Sequence, residues 1–97
     1  MVKLLHILHS DKPDKKWKAV FESDKGRQKN VYFGAKGMED YTQHHDKERR
    51  ERYRARHKKD LNTGDPTRPG FLSYYILWGE STSFHQNLTD YKKKFGL

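Results

Sequence analysis

A chain that opens in period-two alternation and closes in helical periodicity predicts an α+β domain. The expected architecture is a three-stranded antiparallel β-meander followed by a basic helix and two C-terminal helices. Three observations carry this. Turn-forming clusters divide residues 1–37 into strand-length pieces, neither proline nor glycine falls between residues 38 and 63, and the largest apolar residues gather in the last third. With 97 residues the chain has the length of a single domain, 1–97, with the meander in 1–37 and the helical part in 38–97.

Val2 to Ser10 is rich in leucine, with Val2, Leu4 and Leu8 alternating against Leu5 and Ile7. Apolar residues on both faces predict a central strand covered on two sides. Asp11-Lys12-Pro13-Asp14 is a turn signal, after which Trp17, Ala19 and Phe21 share one face of a half-exposed strand. Ser23-Asp24-Lys25-Gly26 predicts a hairpin turn, and Arg27 to Gly34 the third strand.

Beyond Gly34 the period changes. Asp46 reads as an N-cap with Glu48 in the first turn, and the helix it opens continues toward Gly64, with Tyr53, His57 and Leu61 in one narrow sector. Residues 62–70 form a connector. Residues 71–78 are apolar nearly all round; Pro69 at a first turn and Gly79 at a C′ position favour a short helix, with a strand as the alternative. Ser83 and Gln86 form a capping-box pattern before Phe84, Leu88, Tyr91 and Phe95 on one face, and Gly96 ends that helix.

Composition narrows function by exclusion. The absence of cysteine removes disulfide scaffolds, zinc ribbons and thiol nucleophiles, and no apolar run reaches the roughly 18 residues of a membrane span. An intracellular protein is expected. The chain carries 21 Lys and Arg against 13 Asp and Glu, a net +8, distributed as +5 over residues 1–37, +2 over 38–68 and +1 over 69–97. A hydrophobic share of 32% predicts a thin core, and hence a homodimer that supplies further burial. The basic balance points to a class of partner: nucleic acid, an acidic protein or an anionic surface.

The run from Lys47 to Lys59 is the first candidate for that contact. Arg52, Arg56 and Lys59 line one flank of the predicted helix; Lys47, Arg54 and Lys58 line the other. Against it stand Glu48 and Glu51, spaced to pair with Arg52 and Arg54 within a solvated helix. Gly34-Ala35-Lys36-Gly37 offers a weak signal for an anion cradle closed by Lys36, and a plain strand-to-helix turn is the favoured reading. Trp17, Tyr32 and Phe33, interleaved with Lys16, Lys18, Arg27 and Lys29, suggest a stacking platform in which Trp17 is better spent on the core. Six histidines lack metal-ligand spacing, and the carboxylates show no nuclease pattern, so neither cofactor nor catalytic residue is expected. His57 is expected to pack beneath the basic helix. The sequon at Asn87-Leu88-Thr89 lies inside the last predicted helix and reads as accidental.

Three blocks, residues 31–42, 52–59 and 70–78, resemble a family of small basic proteins encoded by nucleocytoplasmic large DNA viruses, giant viruses among them. The resemblance spans about residues 29–97. It implies a viral protein acting near viral DNA or transcription, with packaging in the virion as one setting, and assigns no enzymatic activity and no binding residues. Tyr74-Tyr75 departs from the tryptophan-richer pattern of that family. The resulting expectation is a non-catalytic, largely sequence-independent nucleic-acid-binding protein, with DNA preferred over RNA as the resemblance implies. A virion-associated or host-directed protein-interaction module is the alternative.

Overall fold

A computed structural model describes residues 2–97. Strands β1 (Lys3–His9), β2 (Lys15–Glu22) and β3 (Gln28–Ala35) form an antiparallel sheet in the order β1-β2-β3. Four helices follow: α1 (Tyr41–His44), α2 (Lys47–His57), α3 (Pro69–Leu72) and α4 (Phe84–Phe95). The expected α+β architecture is therefore present, with α1 as an addition.

The central strand is β2, and β1 lies at an edge, contrary to the expectation drawn from its two-faced apolar pattern. The reason is a bulge. Leu4 pairs with Phe21, but His6 pairs with Val20 and Ile7 with Ala19, so Leu5 is the extra residue. A bulge switches the alternation of everything beyond it. Leu4 and Ile7 thereby face the same side, and a pattern that looks like burial on both faces is burial on one. Leu8 is left 46% exposed.

Opposite β1, the cross-strand pairs Trp17 with Phe33 and Ala19 with Val31 continue the apolar face that the helices cover. Trp17 is packed there, stacked on His9 at 4.9 Å and against Phe84 at 4.8 Å. The second face carries the row Leu8, Lys18 and Tyr32, drawn from all three strands.

The sheet is joined to the helices through a part-buried polar clasp. Asp40 caps α1, its carboxylate accepting from Thr42 N, while Gln43 Oε1 accepts from Asp40 N at 3.2 Å to close a capping box. Lys16 of β2 donates to Asp40 Oδ2 at 3.0 Å and to Gln43 Oε1 at 2.7 Å. Asp40 is buried, so the ammonium offsets a desolvated charge and ties α1 to the sheet.

Asp46 caps α2 as the sequence predicts, accepting from the backbone N–H groups of Glu48 and Arg49. The α-helix ends at His57, earlier than expected; residues Lys58–Thr63 tighten into a 3₁₀ turn that Gly64 ends at φ +66°. Residues 71–77 settle as helix, with Pro69 in the first turn, but after Leu72 the coil widens into a π turn over Ser73–Leu77, and Trp78 leaves the helical conformation. Gly79 is needed for space rather than for a left-handed turn. A Cβ there would lie 2.2 Å from Tyr75 O and 2.7 Å from Asn87 Cγ.

Ser83 accepts from Gln86 N, and Gly96 ends α4 in the left-handed region. The reciprocal half of the expected capping box is replaced by a bond from Gln86 Nε2 to Asp90 Oδ1 at 2.9 Å. Asn87 is 3% exposed, so the sequon asparagine belongs to the interior.

Candidate nucleic-acid interface

Helix α2 turns toward the body the residues at i, i+3, i+4 and i+7, the spacing that normally carries an apolar stripe. Here those positions hold Arg50, Tyr53, Arg54 and His57, all half-buried. The arginines are spent on backbone. Arg50 Nε donates to Gly79 O at 2.6 Å, and Arg54 Nη1 donates to Tyr74 O at 3.2 Å and Trp78 O at 2.8 Å. Carbonyls at the end of a helical segment lack intrahelical donors and carry partial negative charge, so guanidinium groups satisfy both needs. Arg54 also lies over the Tyr74 ring, 4.1 Å from its centroid.

The rings on this face form a ladder. Tyr53 stacks between His57, at 4.1 Å, and Trp78, at 4.2 Å; Trp78 then meets His44 at 5.2 Å. His57 occupies the expected place beneath the helix, its Nδ1 lying 3.0 Å from Asp60 Oδ2. His44 Nδ1 accepts from Asp46 N at 2.9 Å, which leaves the proton on Nε2, a buried atom without a hydrogen-bond partner among the described residues. Burial first, and then the neighbouring Arg49, lower the His44 pKa below the ordinary imidazole value.

With the inner face so occupied, the outer face determines what a partner meets. Arg49, Arg52 and Arg56 project within an arc of about 60°, and Lys59 follows them at the start of the 3₁₀ turn; all four are exposed. Among the described residues no carboxylate lies at ion-pair distance from any of them. The i, i+4 pairing of Glu48 with Arg52 suggested by spacing is thus not formed, and Glu51 pairs with Arg50 rather than with Arg54.

The expected contact set therefore divides. Arg52, Arg56 and Lys59 stand together, joined by Arg49, which sequence reasoning passed over although its helical angle places it in the same arc. Lys47 and Lys58 are exposed on the opposite flank, and a shallow depression lined by Lys47, Glu48, Glu51 and Arg52 reaches from that flank to the first. Arg54 departs from that flank because its guanidinium is turned inward. Lys36 is exposed in the turn after β3, but its N–H donates to Asp14 O and Met38 N to Ala35 O, so these two amides are not free for an anion. Tyr32 is half-exposed on the second face of the sheet with the Lys12 ammonium 4.4 Å above its ring. Lys29 reaches Thr67 at 3.4 Å.

No group of three or more His, Asp or Glu side chains among the described residues is arranged to hold a metal ion. No helix among them is long and apolar enough to cross a membrane. The fold and its exposed surface define a small α+β domain in which an antiparallel meander supports an outward-facing cationic helix. The chain belongs to a family of unknown function, DUF5754, whose model matches residues 5–57, from the β1 bulge to the end of α2. No curated protein and no solved structure matches it.

Proposed function

We propose that this chain is a non-catalytic nucleic-acid-binding protein whose α2 holds the phosphate backbone with little regard to base sequence. The observation that carries the reading is the division of labour on α2. Two arginines are consumed by the interior, while Arg49, Arg52, Arg56 and Lys59 line one outer arc unpaired among the described residues. A row of solvated cations without base-reading geometry suits phosphate contact, which positions a duplex without specifying its sequence. The resemblance to small basic proteins of large DNA viruses supports viral DNA as the polyanion. Self-association is part of the proposal, supported by edge strand β1 with its exposed Leu8.

Binding of the purified protein to duplex DNA, single-stranded DNA and RNA across a salt series tests it. Four neutralised phosphates give a slope of log K against log salt of about −3.6 on duplex DNA, and recruitment of Lys47 and Lys58 steepens it to about −5. Joint replacement of Arg52, Arg56 and Lys59 by glutamine should weaken every sequence alike and flatten the slope. A response flat in salt, or affinity unchanged by the triple variant, would overturn the reading and favour a protein-interaction module using exposed Leu8 and Met38.

A further inference from the structure

A cleft of about 420 Å³ lies between the π turn and α4, walled by Tyr75 and rimmed by Arg54, Lys93, Lys94, Glu80 and Asp90. The polar groups at its base are spent. Asn87 Nδ2 donates to Ile76 O at 2.9 Å and Ser81 O at 2.7 Å, its Oδ1 accepts from Ser81 N, and the Tyr91 hydroxyl donates to Pro66 O. At the rim, Asp90 accepts from Gln86 Nε2 and Arg54 Nη1 is engaged, but the other polar groups are not spent. Among the described residues the Tyr75 hydroxyl, the Lys93 and Lys94 ammonium groups, the Glu80 carboxylate and Arg54 Nη2 have no hydrogen-bond partner. Arg54 and Lys94 approach the Tyr75 ring equally closely, each 5.9 Å from its centroid. The two cations lie over the ring, whose position is fixed by contacts with Phe71, Tyr74, Tyr91 and Phe95, and an aromatic wall topped by cations is an arrangement that takes a stacked ring carrying an anion.

We propose that this cleft binds a nucleoside monophosphate unit, its base against Tyr75 and its phosphate among Lys93, Lys94 and the unspent edge of Arg54. The choice of a nucleotide over another aromatic anion rests on the function proposed above. Three cations against two carboxylates leave the rim at +1, suited to a single phosphate rather than a polyphosphate. Glu80 is placed to accept from an exocyclic amine, which favours an amino-bearing base such as adenine. The unit is either free or the 5′ end of a strand.

Ligand-observed NMR titration of the whole chain with AMP, adenosine and inorganic phosphate tests the proposal. AMP should saturate, with adenosine and phosphate each weaker by at least about ten-fold, since stacking and phosphate contact are lost separately. The exposed pair Lys93→Gln and Lys94→Gln, which leaves the core untouched, should weaken AMP by a similar factor, as should Tyr75→Leu. Absence of saturation by AMP through the millimolar range, or saturation unchanged in the Lys93/Lys94 variant, overturns it. Comparison of 5′-phosphorylated with 5′-hydroxyl oligonucleotides separates the two sources: a gain from the terminal phosphate identifies a strand end, and equal binding a free nucleotide. The Arg52/Arg56/Lys59 variant should lose duplex affinity and keep AMP binding. Duplex binding without AMP binding therefore sinks the cleft alone, and AMP binding without duplex binding sinks the helix reading alone.

Discussion

Tyr53 and Trp78 stack almost parallel, with ring centroids 4.2 Å apart and planes inclined by 6°. The pair joins the basic helix to the end of the π turn, and His57 and His44 extend it at either end. A helix whose inner face carries two arginines and a histidine is held to the body by rings as well as by hydrogen bonds. Its outer cations are thereby fixed in direction without an apolar stripe beneath them.

Truncating that joint should cost heavily. Trp78 is buried in the ladder, so Trp78→Ala is expected to destabilise the fold by about 3–5 kcal/mol. Tyr53→Phe keeps the ring and should cost under about 1.5 kcal/mol. Urea unfolding followed by far-ultraviolet circular dichroism measures both, and equal losses would show that stacking is not the source of the stability.

The arginines of α2 should separate into two classes. Arg54→Gln removes charge-assisted bonds to Tyr74 O and Trp78 O and should cost about 1.5–3 kcal/mol, whereas Arg52→Gln should stay within about 0.5 kcal/mol of the parent. Nucleic-acid affinity should show the reverse order once folded protein is compared. Thermal denaturation and salt-series binding on the same two variants check this.

Gly79→Ala places a methyl group where Tyr75 O and Asn87 already stand. Backbone has to move, so a loss of about 1–3 kcal/mol is expected. The chemical shifts of the Asn87 side-chain amide should move with it, since Asn87 spans Ile76 O and Ser81. A neutral substitution would contradict the packing around the π turn.

His44 should give stability a dependence on pH. Its folded pKa is lowered by burial, so the unfolded chain binds the proton more readily than the native one. The contribution is then present above the unfolded value near 6.5 and is lost as pH falls below it. Protonation of Nδ1 also removes the acceptor for Asp46 N, next to the cap of α2. Unfolding midpoints measured from pH 7.5 down to 5 should fall less steeply in His44→Asn, whose side-chain oxygen retains an acceptor without titrating.

Alternation, turn chemistry and capping are local, and the residues that express them settled much of this molecule in one dimension. Asp46 caps a helix wherever the chain goes, the clusters at residues 11–14 and 23–26 reverse it, and Phe84, Leu88, Tyr91 and Phe95 share a face at any angle of docking. The excess of cations, and most of the exposed row on α2, follow from the same kind of reading. What the string left open depends on contacts between distant residues. The Leu5 bulge that moves β1 to an edge emerges only in register with β2, because bulged and two-faced strands share one apolar pattern. Arg52 and Arg54 look alike until the carbonyls of Tyr74 and Trp78 arrive beside one of them. The inner and outer charges of α2 were thus assigned by tertiary packing, since a guanidinium is drawn inward only where unpaired backbone oxygens offset the loss of water.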